Sequence, residues 1–197
     1  MARSLVSLRC ATPADAPTLA ELWAEVLRRT DQVERIADLV TVIERAATTD
    51  GQRLVVAEYD GEIAGAVHLH VATMTPINLE PIVFAVSPHV FPRFRRHGVG
   101  TALIDAAVSY AEERGIGHVA TGAAAGSRDA NRFMARLSLG PQAVLRVAAT
   151  PAVRGRLTAQ RPAGQRPGNR SGRQLTQVLA ARRSLRRSQT PPSVGSH

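Results

Sequence analysis

Seven consecutive residues, Arg95-Arg96-His97-Gly98-Val99-Gly100-Thr101, carry the clearest chemical signal in this 197-residue chain. They follow an apolar run, Ile82 to Phe91, and lead into a helical pattern. Two glycines allow a tight turn and a close backbone approach, so that several N–H groups and a helix N-terminus can point at one anion. Arginines at the same corner add permanently charged donors whose fork suits phosphate. The chemistry implied is phosphate or diphosphate recognition. A lone Gly-x-Gly also closes ordinary strand-to-helix turns, and Arg93, Arg95 and Arg96 read as well as a solvated basic turn. A Walker loop is excluded because it needs a lysine and the chain has none. A Rossmann fingerprint wants three glycines after a first strand, whereas this corner lies mid-chain.

Histidines and a serine on the flanking runs are the other candidates for chemistry. Ser87 and His89 are two apart in an extended run and are expected to share a face opposite Val86 and Val90. His68 and His70 also share a strand face, but two ligands without a third at usable spacing do not make a metal site, and none is expected. Cys10, the single cysteine, can form no internal disulfide and stands on a first strand, badly placed for a nucleophile.

Read with its flanks, the stretch Val90 to Leu103 resembles the acetyl-CoA-binding segment of the GNAT superfamily of N-acetyltransferases. That family's pattern is V-x-P-x-x-R/Q-x-x-G-x-G/A, and Val90, Pro92, Arg95, Gly98 and Gly100 fall in register with it. The resemblance runs from about Leu5 to about Ala149. It implies that Arg95, Arg96 and the N–H groups of Arg96, His97, Gly98, Val99, Gly100 and Thr101 receive the CoA pyrophosphate. It further implies that backbone groups of Val90 and Phe91 meet the pantetheine. The segment Asn131 to Leu139 resembles the family's later motif, which carries Asn131 over as a cofactor contact. Two departures stand out there: Met134 occupies the place of a tyrosine that protonates the leaving thiolate in many members, and Ser138-Leu139 replaces Gly-Phe. The implied activity is transfer of an acetyl group from acetyl-CoA to a primary amine, directly in a ternary complex. A base for the ammonium proton is then expected, with Glu80, Ser87 and His89 as candidates, and His68 and His70 would border the acceptor pocket. In this family the acceptor is set by the first two helices and the loop around Thr73 to Leu79.

The elements that must position these residues follow from periodicity. Leu5, Val6 and Leu8 make a short strand. Thr12-Pro13-Ala14-Asp15 opens a helix whose apolar face is Leu19, Leu22, Trp23, Val26 and Leu27. A second helix carries Val33, Ile36, Leu39, Val40 and Ile43 on one side. Arg53 to Tyr59 and Ile63 to Thr73 read as a hairpin around Asp60-Gly61, followed by the strand Ile82 to Phe91. A helix Val99 to Arg114, a short strand His118 to Gly122, a helix Asn131 to Leu137 and a last strand Ala143 to Ala149 complete the order βααβββαβαβ. This is an α+β pattern, and the resemblance sharpens it to a GNAT-like mixed, mainly antiparallel twisted sheet flanked by helices with a basic C-terminal extension.

Composition bounds the rest. Residues 151–197 hold 10 arginines and no acid, leaving 15 arginines against 16 acids in residues 1–150, so the excess of the +9 net charge belongs to the tail. The expected division is a domain over 1–150 and an Arg-rich flexible extension over 151–197 with a short helix at 174–187. No apolar run approaches the roughly 20 residues a bilayer needs, and a cytoplasmic setting is expected. Two other function classes stay open: a non-catalytic CoA-binding module, and a nucleic-acid binder acting through the tail. A homodimer is expected from the frequency of dimers among GNAT proteins.

Overall fold

A computed structural model describes residues 6–122, 126–143 and 145–160. The chain divides into two units, Met1–Gln142 and Ala143–His197. In the first, five strands form one sheet in sequential order: β1 (Val6–Cys10), β2 (Gln52–Tyr59), β3 (Glu62–Thr75), β4 (Asn78–Val90) and β5 (Val119–Thr121). The first four pair antiparallel and β5 joins β4 in parallel. Short polar turns explain the antiparallel part, since Asp60 and Gly61 both take positive φ (51° and 82°), as the tight turn between β2 and β3 requires. Reaching β5 in parallel demands a crossover, which helix α3 (Val99–Glu112) supplies.

Each sheet face has its own core. On one, Val55, Ala57, Val67, Leu69, Val83 and Ala85 pack with Val99, Leu103, Ala107 and Tyr110 of α3. On the other, Leu54, Val56 and Ala66 pack with helices α1 (Ala16–Leu22) and α2 (Gln32–Thr48) through Leu19, Trp23, Leu39 and Ile43. Helix α4 (Arg128–Arg136) follows β5, capped by Ser127, whose hydroxyl accepts from the Ala130 N–H. At its other end Ser138 (φ 62°) takes the left-handed conformation, with Leu139 N–H bonded to Met134 O and Ser138 N–H to Ala135 O. Serine thus fills the left-handed closing position that glycine usually takes.

Several sequence expectations need correction. The helix expected to open at Pro13 begins as a 3-10 turn, Pro13–Asp15, and α1 stops at Leu22, so Val26 lies beyond it, 52% exposed. Val33 faces solvent at 77% exposure because it lies in the first turn of α2, outside the packed stretch around Leu39 and Ile43. No strand forms at Ala143–Ala149 among the described residues, and Leu145 and Val147 are 88% and 84% exposed. Alternation gives a segment the pattern of a strand, but a strand exists only where a neighbour takes its N–H and C=O groups. The second unit's described helix is α5 (Thr150–Gln160), on which no residue is buried. The expected tail helix at 174–187 lies outside the described residues.

One charged network ties the front of the chain to the sheet. Arg9 donates to both Asp15 carboxylate oxygens at 2.7 and 2.9 Å and to Glu58 at 2.6 Å, while the Thr12 N–H and hydroxyl also donate to Asp15. The Arg9 guanidinium, against the opposing effect of burial, holds the Asp15 carboxyl down at about 2. A carboxyl depressed in the folded state stabilises it above the unfolded value near 4, and that contribution is lost as pH falls through about 2. Urea unfolding as a function of pH should show about 2 kcal/mol disappearing over that window, and Asp15→Asn should remove this component and flatten the profile. Gly65 supplies a second test. A Cβ there would stand 2.5 Å from the His89 carbonyl oxygen and 3.2 Å from Val99, so Gly65→Ala should force β3 and β4 apart and cost about 1–3 kcal/mol in denaturant unfolding.

Candidate functional site

The ladder between β3 and β4 slips by one residue: His68 pairs with Val86, yet Ala66 pairs with His89. Two residues of β4, Ser87 and Pro88, therefore stand opposite Val67, which is a β-bulge. Pro88 has no N–H to give the ladder, and Ser87 turns left-handed at φ 47°. The Ser87 carbonyl so displaced accepts the Trp23 indole N–H at 2.9 Å from the end of α1.

The bulge overturns the expected alternation. Val86 and His89 both pair with β3 residues of the α1/α2 face, so they share that face instead of standing opposite one another, and Val90 alone turns to the α3 side. The His89 Nδ1 lies 3.3 Å from the Ser87 carbonyl, so in the tautomer that donates there, Nε2 is left as an acceptor. His68 and His70 occupy the same face, their rings parallel within 4° at 6.5 Å. The buried Nε2 of His68 has no partner among the described residues, and burial, helped by His70, lowers the pKa of His68. Glu80 is not brought to this group. It sits seven residues before Ser87, some 23 Å back along an extended strand, and pairs with His118 Nδ1 at 3.0 Å.

Beyond the bulge β4 loses its other neighbour. The described β4–β5 pairing covers only Val83–Ala85 against Val119–Thr121, where the Thr121 hydroxyl donates to Ala85 O, so Val86–Val90 have no strand on that side among the described residues. This open edge leads to Phe91, whose N–H still bonds Ala64 O, and then to a 3-10 turn, Pro92–Phe94.

The glycine corner follows. Arg96 (φ 66°) and Gly98 (φ 83°) are both left-handed, and Gly98 is the N-cap of α3. Left-handed backbone costs a non-glycine residue on the order of 1 kcal/mol, and such strain clusters at functional sites. Among the described residues the N–H groups of Arg96, His97, Gly98, Val99, Gly100 and Thr101 find no backbone acceptor; the first bond of α3 is Ala102 N–H to Gly98 O. A Cβ on Gly98 would meet nothing within 4 Å, so the space in front of the corner is open. Six donors without backbone acceptors at a helix start are the kind of group that can receive an anion. All three arginines are exposed, but Arg93 stacks over Phe91 and Phe94 and lies 3.4 Å from Glu62, whereas Arg95 and Arg96 have no side-chain partner among the described residues.

Helix α4 adjoins the corner through Phe133, whose ring edge would be 3.4 Å from a Cβ on Gly100. Asn131 is exposed in the first turn of α4, and its Nδ2 donates to Ser127 O at 2.8 Å, while its amide oxygen has no bond among the described residues. Met134 is half-buried at the place where a proton donor would be expected. Tyr110, one of the two tyrosines, lies in the core between Arg53 and Arg114. Sequence reading missed Trp23 as a partner of the bulge. A proline inside the apolar run was the available signal, because proline in a strand marks an edge or a bulge.

Among curated proteins none matches the chain by sequence. Solved structures share its fold. A transcriptional regulator from Bacillus halodurans C-125 is 20% identical at a TM-score of 0.62, over 73% of this chain and 99% of that one. An aminoglycoside N-acetyltransferase in complex with CoA is 18% identical at 0.61, over 74% and 95%. Glucosamine-6-phosphate N-acetyltransferase from Arabidopsis thaliana is 15% identical at 0.58, over 74% and 98%. The model of the acetyltransferase (GNAT) family matches residues 17–139, more than half of the sequence. On that match the chain belongs to the GNAT acetyltransferases, which take an acetyl group from acetyl-CoA.

Proposed function

We propose that this acetyltransferase moves the acetyl group to a primary amine directly, with both substrates bound at once. The observation that carries the reading is the row of six N–H groups, Arg96 to Thr101, left without backbone acceptors at a glycine corner with open space before it. Those donors would hold the CoA diphosphate, with Arg95 and Arg96 beside them adding charge. Backbone groups of Val90 and Phe91 on the open edge would align the pantetheine and Asn131 would contact it from α4. Acetyl-CoA supplies a thioester carbonyl, and the chain's task is mainly to hold an amine near attack distance of it.

His89 is the residue we assign to the amine's proton. It lies on the α1/α2 face beside the bulge, and with Nδ1–H donated to Ser87 O its Nε2 can accept. Ser87 serves through its carbonyl, fixed by Trp23. Glu80, engaged with His118, is assigned no part. Met134 has no proton to give, so the departing thiolate, a stable leaving group near neutral pH, takes its proton from water.

Calorimetric titration with CoA tests the cradle. Gly98→Asp puts a carboxylate into the open space at the corner, where a Cβ meets nothing within 4 Å, and should weaken binding at least about tenfold; equal binding by the variant and the unmodified chain would overturn the assignment. A thiol-release screen over small amines, peptide N-termini and lysine peptides tests the transfer itself. Met134 favours a second reading, a CoA-binding module without catalysis, whose signature is saturable CoA binding with no thiol release from any amine.

A further inference from the structure

The amide corner has a mechanical problem. Its backbone donors bond to nothing in the backbone among the described residues, and two of three consecutive positions, Arg96 and Gly98, are left-handed. Hydrogen bonds fix the approach only as far as Phe94 N–H to Phe91 O and Arg95 N–H to Pro92 O, after which the next is inside α3. Something else must hold residues 96–98 in the donating conformation before a ligand arrives.

Side chains packed on the outside of the loop do this. The exposed His97 ring stands edge-on to Tyr59, 4.8 Å between centroids at 61°, and Phe94 lies against the same tyrosine at 5.8 Å. Arg93 reaches across to Glu62 at 3.4 Å while covering Phe91 and Phe94. Tyr59 can bear load because it is the last residue of β2, paired with Val6 on one side and with Glu62 across the turn on the other. Edge-to-face aromatic contact of this kind gives direction as well as adhesion.

We infer that Tyr59 is a positioning residue for the acyl donor: its ring braces His97 and Phe94 so that the corner's amides stay presented to the CoA diphosphate. This rests on the cradle proposed above. Tyr59 touches the loop and not the bulge where the acetyl group would react, so its effect belongs to donor binding and not to the chemical step. Bracing of an unbound loop acts by preorganisation, lowering the ordering cost of binding.

The test compares Tyr59→Ala, Tyr59→Phe and His97→Ala with the unmodified full chain, by CoA titration and by steady-state kinetics with the best amine from the screen. Tyr59→Ala should weaken CoA binding roughly tenfold and raise the KM for acetyl-CoA to match, with kcat at saturation unchanged. Tyr59→Phe keeps the ring and should restore both values. His97→Ala, in an exposed loop where folding is not at stake, should reproduce the Tyr59→Ala loss, and the double variant should lose no more than either alone. Unchanged CoA binding in both alanine variants, additive losses, or a fall in kcat with KM constant would overturn the brace. Failure of the unmodified chain to bind CoA would instead sink the cradle on which it rests.

Discussion

The hydrogen bond from the Trp23 indole to the Ser87 carbonyl holds the one irregularity on which the rest of the site depends. A carbonyl swung out of a ladder needs a partner, because an unpaired buried acceptor costs about 1–3 kcal/mol. Trp23 provides it from the end of α1, and so links the helix layer to the strand. With the bulge fixed, His89 is delivered to the α1/α2 face, the open edge of β4 runs free of β5, and Phe91 leaves the sheet toward the glycine corner. Gly65 makes room on the neighbouring strand, where no side chain would fit under the His89 carbonyl. Small local departures from regular pairing thus set the course of the chain from the bulge to the corner.

What could be read from the residues followed from how local the cause was. Gly98 and Gly100 declare the corner because their spacing has a conformational consequence within three residues, and Asp60-Gly61 declares its turn for the same reason. The apolar stripe of α3 was legible because Leu103, Ala107 and Tyr110 repeat at helical spacing and do face the core. Ser87 and His89 were read on a plain two-residue alternation, and that failed because a bulge is a property of two strands in register, not of one. Ala143–Ala149 failed on the same ground: pairing is supplied from outside the segment. Arg9, Asp15 and Glu58 come together only once β1 is laid against β2, which no spacing announces.

The arginines illustrate how position decides between chemistry and packing. Arg93, Arg95 and Arg96 are close neighbours in sequence with identical side chains, yet Arg93 is consumed by Glu62 and two phenylalanine rings. Its neighbours, exposed like it, have no side-chain partner among the described residues. Met134 on α4 and Ser138 just beyond it mark the opposite case, in which a familiar position carries an unfamiliar residue: the left-handed helix end is kept with serine, while Met134 brings no hydroxyl.

A corner built of main-chain donors has a consequence for how such proteins diverge. Every residue except proline brings the same N–H, so a corner of this kind specifies bends and leaves most identities free. Chains that overlap over nearly three quarters of this one can differ at four positions in five, as its structural neighbours do, and still fold to one shape. The burden of inheritance then falls on a few turning points of the backbone, and the surfaces around them are at liberty to change.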